Sequence, residues 1–300
     1  MVPLVLNDDD VRRRLDPSTA VRAVRSAMLA HHDGTLHAPP RVRADLGEGD
    51  VVFTTGRMRA HGLFGFRAYD TFADAEQLVA VWGDEDGKLR VLVHGRELGA
   101  RRTGAIGAVA VDAAARPGPI RVGLIGAGVQ AWAQLWALRA VRPIETVTVA
   151  SRHAQRAEDF AQRATRELGV DVRAVSRVED AVRDREVVIV ATNSSVPVLE
   201  AEWITAGTHV TTLGPKTISR HEIPAELEDR ADVILTDSRA QAAGYRDAHL
   251  LAVDRMVELG AVLAGTASGR TSSDQITLFS SVGLAGTEVA VAAALCDALR

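Results

Sequence analysis

A short glycine-containing segment near the middle of the chain combines residue types that favour phosphate binding. Gly126, Gly128 and Ala131 match the spacing G-x-G-x-x-G/A, between an apolar run at 121–125 and a stretch at 129–142 with helical periodicity. In a strand–turn–helix unit the first glycine permits the tight turn, and the second lets the backbone approach a pyrophosphate. The N–H groups that open the helix then face the phosphates. The segment predicts a dinucleotide site formed by Gly126, Ala127, Gly128, Val129 and Gln130.

The end of the next strand bears on which dinucleotide is bound. A carboxylate at this place bonds the ribose hydroxyl of NAD(H), whereas an arginine accommodates the extra phosphate of NADP(H). Here the strand at 146–150 ends in Ser151 and Arg152, with Arg156 one helical turn further on. A guanidinium can bind a phosphate with two parallel N–H donors. We therefore expect NADP(H) in preference to NAD(H); the alternative is that Arg152 is merely solvated.

The hydrophobic pattern divides the chain into two parts. From about 119 to 236, continuous Val/Ile runs alternate with helical stretches, which is typical of a parallel sheet covered on both faces. Upstream, alternating segments within 41–98 predict antiparallel strands, with a hairpin turn at 84–88. Helices are predicted at 7–33, at 99–115 and from about 283 to the end. The fold class is α/β: a Rossmann-type doubly wound parallel sheet domain plus a second, α+β domain.

Composition narrows the classes of partner. The chain has 300 residues, a formal net charge of −4 and one cysteine, Cys296, so no internal disulfide can form. This charge gives no reason to expect nucleic acid or an anionic membrane as partner. No apolar run approaches the roughly 18 residues of a transmembrane helix, and the N-terminus lacks a signal-peptide layout. The histidines lack zinc-type spacing, so we expect no metal. A cytoplasmic protein is predicted.

With these motifs in place, the chain resembles the ornithine cyclodeaminase/mu-crystallin family over nearly its whole length. The resemblance rests on Leu98, Arg102 and Thr103 before the linker, on the glycine segment, and on residues 191–194 after the fourth strand. It also rests on Leu213-Gly214 with Glu222 downstream, on Asp237-Ser238, and on residues 274–283, DQITLFSSVG. The last segment is the most specific of these.

The resemblance implies a domain of residues 1–116 with 280–300 that binds substrate and builds a homodimer, and a Rossmann domain at 117–279. It implies hydride exchange at a carbon that bears nitrogen and lies next to a carboxylate. Arg102 matches the arginine that binds the substrate carboxylate. Arg67 stands where the family commonly has a lysine, and Arg41 resembles a further basic position of the pocket. Further cofactor contacts are expected from Thr192, Asn193, Ser194, Leu213 and Gly214.

Lys216 marks the clearest departure from the family. Cyclodeaminases carry an aspartate shortly after Leu-Gly, and by offset Lys216 occupies that position. A cation there would repel the distal ammonium of ornithine, which counts against cyclodeaminase activity. Lys216 either contacts an acidic arm of the substrate or supplies a proton to a developing amine, or it is a solvated loop lysine.

Three functions follow as hypotheses. The first is an NADPH-dependent oxidoreductase that reduces an imine or ketimine bearing a carboxylate, or a keto acid together with an amine. The second is an amino-acid cyclodeaminase that uses bound NAD⁺ and releases ammonia. The third is a non-catalytic NADPH-binding dimer, because a fold of this kind hosts many roles.

Overall fold

Two β-sheets organise the chain in the computed structural model, which describes residues 2–72 and 76–298. The first sheet is antiparallel except at one edge, where β1 pairs with β7 in parallel. The hairpin expected at 84–88 joins β6 to β7, and Gly87 takes a φ of +62° there. The order is β1-β7-β6-β5-β4-β2, with β3 beside β4. Its strands are β1 (Leu4–Leu6), β2 (Leu36–His37), β3 (Val42–Asp45), β4 (Asp50–Met58), β5 (Leu63–Asp70), β6 (Gln77–Gly83) and β7 (Leu89–Gly95).

The single helix predicted at 7–33 is wrong, because the structure has two helices there. The first is α1 (Asp8–Arg14), capped by the side chain of Asn7. The second is α2 (Pro17–His32), in which Asp16 accepts the N–H of Thr19 as N-cap. Proline lacks the N–H that a continuing helix needs and suits the first turn of a new one. The helical periodicity on both sides concealed this break.

The second sheet consists of eight parallel strands in the order β10-β9-β8-β11-β12-β15-β13-β14. The chain moves from β8 to one side and then returns to the other, so β8 and β11 flank the switch point at which open α/β sheets bind ligands. This confirms the doubly wound fold class. The strands are β8 (Ile120–Ile125), β9 (Ile144–Ala150), β10 (Val172–Val175), β11 (Val187–Val190), β12 (His209–Thr212), β13 (Val233–Thr236), β14 (Met256–Glu258) and β15 (Thr277–Ser280).

One strand of this sheet, β15, lies where sequence order does not place it. It pairs with β12 through His209 and Thr277, and with β13 through Val233 and Thr277. The insertion of β15 places the segment that ends at Gly283 between β12 and β13, two strands that precede it in the sequence. Parallel pairing over so long a separation depends on tertiary packing, which periodicity does not report.

Helices cover both sheets and join them into one core. α3 is almost entirely buried, since it packs on α2 and α4. The last helix begins later than predicted, at Thr287, because Gly283 and Gly286 have φ values of +73° and +84°. The other helices are α3 (Glu97–Ala114), α4 (Val129–Leu138), α5 (Ala154–Leu168), α6 (Val178–Val182), α7 (Leu227–Arg230), α8 (Arg239–Ala243), α9 (Leu259–Leu263) and α10 (Thr287–Asp297).

The two faces of the first sheet differ. α10 covers one face, while the other carries Phe64, Phe66 and Trp82 stacked at 5.7 and 5.8 Å between ring centroids. A cavity of about 410 Å³ opens on this aromatic face. Phe64 remains 37% exposed. Within the described ranges, no helix combines the length and apolarity needed to cross a membrane.

Candidate functional site

The glycine turn between β8 and α4 has the geometry of a phosphate cradle. Gly126 has a φ of +106°, and a Cβ there would lie 2.3 Å from the carbonyl oxygen of Ala191. Gly128 is the N-cap of α4, has no side chain to cap the helix, and has open space where its Cβ would stand. The first N–H groups of α4 are therefore free to bind an anion. The residues present fit the pyrophosphate of a dinucleotide.

The end of β9 lies beside this turn, since the N–H of Gly126 bonds the carbonyl of Ala150. Ser151 is half-buried, and Arg152 and Arg156 are exposed. Neither guanidinium has an ion pair or a side-chain hydrogen bond with any residue in the described ranges. Two exposed guanidiniums therefore follow the end of β9, with no carboxylate among residues 151–156.

Glu222 fixes the loops that follow β11 and β12. One carboxylate oxygen accepts the backbone N–H and the hydroxyl of Thr192 at 2.8 and 2.7 Å. The other accepts the hydroxyl of Thr212 at 2.7 Å and the N–H groups of Leu213 and Gly214 at 2.9 and 2.6 Å. Glu222 is fully buried. Five donors to one carboxylate make it a rigid bridge between two strand ends.

The predicted contacts beyond these strands are brought to the same edge of the sheet. Thr192 and Ser194 are half-buried and Asn193 is exposed, directly after β11. The Ser194 hydroxyl donates to the carbonyl of Val196 at 2.6 Å, which closes a small turn. A Cβ on Gly214 would lie 2.2 Å from the carbonyl oxygen of Thr192, so only glycine lets the two loops approach this closely.

A buried ion cluster lies where the first sheet, α3 and α10 meet. Arg102 of α3 is 3% exposed and pairs with Glu288 of α10, which is 1% exposed. Arg67 of β5 binds the same carboxylate oxygen at 3.2 Å, and its Nε donates to Gln77 at 3.0 Å. Burial opposes ionisation of Glu288, but Arg102 and Arg67 outweigh it and lower the pKa of this carboxyl.

Arg41 joins this cluster through the segment that follows β15. Its guanidinium donates to the carbonyls of Val282 and Gly283, the latter at 2.9 Å. A Cβ on Gly283 would lie 2.9 Å from Arg102 Nη1 and 2.9 Å from Arg41 Nη2, so the two guanidiniums converge on this glycine. Asp237 holds the segment in place by accepting the N–H groups of Val282 and Leu284 at 2.7 and 2.6 Å.

Lys216 lies inside the protein and is not a solvated loop lysine. It is 5% exposed, and its ammonium donates to the carbonyls of Leu213, at 3.0 Å, and Gly214. Burial lowers the pKa of Lys216 to about 8; Glu222 and Asp237 oppose this effect, and Arg41 adds to it. The amine therefore sits at the end of β12, between the cofactor loops and the ion cluster.

Sequence reasoning missed Glu288 and both tyrosines of the chain. Glu288 is the one carboxylate in the otherwise apolar start of α10, and that contrast was the available signal. Tyr69 lies under Arg67, 4.1 Å from guanidinium carbon to ring centroid. Burial raises the pKa of Tyr245, and Arg41 opposes it, which places this phenol beside the cluster. No pattern in the sequence marked either tyrosine.

Comparison with known proteins agrees with this geometry. Residues 1–300 match the model of the ornithine cyclodeaminase/mu-crystallin family, which confirms the resemblance expected from the motifs. The mouse ketimine reductase mu-crystallin is 30% identical over 220 residues, 73% of this chain and 68% of the relative.

Two solved structures share the fold over almost the whole chain. Thermococcus litoralis Δ(1)-pyrroline-2-carboxylate reductase, in complex with NADH and L-proline, has a TM-score of 0.91 at 25% identity, covering 98% of this chain and 97% of that chain. An archaeal alanine dehydrogenase dimer with bound NAD has a TM-score of 0.88 at 27% identity, covering 99% and 96%.

The convergence of two arginines on Gly283 predicts an unusual cost for a methyl group there. Gly265 has nearly the same φ, +72° against +73°, but open space around its Cβ, and so serves as the matched control. We expect Gly265→Ala to lower the free energy of unfolding by about 1 kcal/mol through backbone strain. Gly283→Ala should lower it by about 2–3 kcal/mol, because the methyl also displaces Arg102 and Arg41. Equal urea midpoints for the two variants would contradict the close packing.

Proposed function

Because the chain belongs to the ornithine cyclodeaminase/mu-crystallin family, we propose that it is an NADPH-dependent oxidoreductase that reduces an imine or ketimine bearing a carboxylate. The observation that supports this most is the convergence of Arg41 and Arg102 on Gly283. It places two guanidiniums at the carboxyl edge of the sheet whose glycine turn fits a dinucleotide. A keto acid together with an amine, which form an imine, would enter the same site.

The cofactor site would be built from the strand ends. The first turn of α4 would bind the pyrophosphate, and the loops held by Glu222 would border the nicotinamide. When bound, the reduced nicotinamide supplies a hydride. The two solved relatives contain NADH and NAD. The preference for NADPH in this chain is supported by the unpaired Arg152 and Arg156 and by the absence of a carboxylate in residues 151–156.

Substrate orientation would fall to the arginines. Nη1 of Arg102 and Nη2 of Arg41 approach the same glycine, and Nη2 already donates to the carbonyls of Val282 and Gly283. The substrate carboxylate would therefore be held by the remaining N–H groups of the two guanidiniums. Charge-assisted bonds of this type are about twice as strong as neutral ones and fix direction as well as distance. Arg67 remains charged and cannot act as a base at neutral pH. Its position on Glu288 assigns it to holding the cluster rather than to proton transfer.

Lys216 would supply the proton that the product amine needs. It lies at the end of β12, and two carbonyls hold its ammonium in one place. A general acid works best when its pKa lies near the operating pH, and the value of about 8 for Lys216 meets this condition. An ammonium here also disfavours the distal cation of ornithine, so the cyclodeaminase alternative loses support.

A homodimer is the assembly we propose. The aromatic face with Phe64, Phe66 and Trp82 is open on one side of the first sheet, and an exposed apolar patch of this kind usually meets a partner. The archaeal alanine dehydrogenase relative is a dimer. Sedimentation at micromolar concentration should give twice the chain mass of 32.0 kDa. A monomer would exclude this use of the face.

The division of the chain into two domains is also a proposal. We assign substrate binding and dimerisation to residues 1–116 with 280–300, and cofactor binding to 117–279. A cytoplasmic location also remains a prediction. A non-catalytic role for the dimer becomes the better account only if NADPH binds and no substrate is turned over.

The proposed activity is tested by turnover. Purified protein with NADPH should reduce pyrroline-2-carboxylate or its six-membered homologue, followed by loss of nicotinamide absorbance. Arg102→Lys should raise KM by about tenfold or more, because a point charge replaces a two-pronged donor. Release of ammonia from L-ornithine without any change in absorbance would favour the cyclodeaminase. Silence across cyclic ketimines and across pyruvate with amines, with NADPH bound, would reject the proposal.

Cofactor preference is tested at Arg152. We expect wild-type protein to bind NADPH more tightly than NADH, and Arg152→Ala to weaken NADPH binding by about 10- to 100-fold while leaving NADH unchanged. Arg166→Ala is the control, because Arg166 lies in α5, the helix that follows Arg152, and pairs with Glu167 instead. Equal dissociation constants for both nucleotides in wild-type protein would contradict the preference.

The role of Lys216 is tested by the pH profile of kcat. If its ammonium donates the proton, activity should fall as the pH rises through about 8, where this group deprotonates. Lys216→Met should lower kcat by about 100-fold and remove that limb, since general acids typically contribute 10²–10⁴-fold. Lys216→Arg keeps the charge and serves as the matched control. A limb that persists in Lys216→Met belongs to the substrate's own imine and contradicts the role.

A further inference from the structure

Three charged side chains of the ion cluster each have a buried polar atom without a hydrogen-bond partner among residues 2–72 and 76–298. These atoms are Nε of Arg41, Nε of Arg102 and Oε2 of Glu288. Buried polar atoms are normally paired, and leaving one unpaired is costly. Arg102 pairs with Glu288, and a Cβ on Gly283 would contact both Arg102 and Arg41, so these two donors and one acceptor belong to side chains that lie together. They are the complement of a ligand with acceptors and a donor on neighbouring atoms.

Glu288 differs from the other buried carboxylates near the site. Glu222 uses both oxygens on the loops after β11 and β12. Asp237 uses one oxygen on each of two backbone N–H groups after β15. Glu288 accepts from both Arg67 and Arg102 with one oxygen, Oε1. Its second oxygen, Oε2, has no hydrogen-bond partner among the described residues. Of these three carboxylates, only Glu288 has an oxygen without a hydrogen-bond partner among residues 2–72 and 76–298.

The charges of the neighbouring side chains determine what Oε2 of Glu288 favours as a partner. Arg41, Arg67, Arg102 and Lys216 are the cations of the site, and a cationic environment suppresses protonation of an imine nitrogen. Arg102 and Arg67 hold the pKa of Glu288 low against the effect of burial, so its carboxylate stays ionised at neutral pH. An ionised oxygen beside the nitrogen favours the protonated form.

We infer that Oε2 of Glu288 accepts a hydrogen bond from the N–H of the substrate's protonated imine, while Arg41 and Arg102 hold its carboxylate. In an α-imino acid the nitrogen and the carboxylate are both attached to the α-carbon, so an acceptor for the nitrogen must lie close to the donors for the carboxylate, as Glu288 lies beside Arg102. The inference rests on the proposed function and deepens it: the substrate class is an α-imino acid bound with its nitrogen protonated.

The bond fits the electron flow of the reduction. Hydride adds to the carbon of the protonated C=N, the π electron pair moves to nitrogen, and the N–H that Glu288 binds is kept throughout. Glu288 therefore needs to give or take no proton.

The test compares ligands that differ only at the nitrogen. Dissociation constants are measured calorimetrically, with saturating NADPH, for L-proline against cyclopentanecarboxylate and for L-alanine against propionate. Each pair keeps the carboxylate and removes the charged N–H donor, which is replaced by a CH2 group in cyclopentanecarboxylate and by hydrogen in propionate. We expect wild-type protein to bind the nitrogen-bearing member of at least one pair about tenfold or more tightly, as a charge-assisted hydrogen bond implies.

Variants separate this contact from a merely structural role. Glu288→Gln should abolish the discrimination within a pair, whatever it does to the affinity that both acids share, and Glu288→Asp should restore part of it. If Glu288 only supports Arg102, Glu288→Gln will weaken both members of a pair equally, which overturns the inference. Glu97→Gln is the control, since Glu97 pairs with Arg101 and Arg12 on the same layer of helices.

The wild-type measurement can overturn the inference on its own, should the variants fail to fold. Equal affinity within both pairs, or binding of none of the four acids, would do so. Because these are binding measurements, they do not depend on turnover. Discrimination within a pair without any reductase activity would support the contact and reject the proposed function. Reductase activity without discrimination would support the proposed function and reject the contact.

Discussion

The pairing of buried Arg102 with Glu288 is the interaction on which the site depends. A guanidinium with 3% exposure is stable only when a carboxylate balances its charge, and breaking such a pair leaves an uncompensated charge in the core. The pair also ties α3 to the first turn of α10, and Arg67 extends it to β5. One carboxylate thereby fixes three elements that are far apart in the sequence.

The segment between β15 and α10 connects this ion pair to the carboxyl edge of the second sheet. Its backbone turns through two glycines with positive φ, and Asp237 and Arg41 hold its N–H and carbonyl groups from opposite sides. Because β15 is inserted between β12 and β13, the segment emerges at the carboxyl edge of the Rossmann sheet. Arg41 and Arg102 therefore lie at the same edge of this sheet as the loops that follow β11 and β12.

The buried acidic residues at this edge of the sheet have different roles. Glu222 and Asp237 each satisfy backbone donors and so act as fixed supports for loops that would otherwise move. Glu288 balances cations and keeps one oxygen free. Lys216 stands where related cyclodeaminases have an aspartate, and its burial makes it a titratable group near neutral pH. Cationic side chains therefore dominate this edge, and among residues 2–72 and 76–298 Oε2 of Glu288 is the carboxylate oxygen of the cluster that has no hydrogen-bond partner.

The sequence by itself determined the parts that depend on local order. The glycine spacing and the Val/Ile runs predicted the glycine turn and the parallel sheet, and the family motifs singled out Arg102, Arg41 and Arg67, which the structure brings into one cluster. The sequence analysis did not predict the break at Pro17. It also did not predict contacts between distant segments, such as the insertion of β15 and the pairing of Glu288 with Arg102 across 186 positions. Periodicity reports which face of an element is apolar, but not which element it meets. Only tertiary packing decided that a lone glutamate in an apolar helix faces two arginines, and that Lys216 is buried.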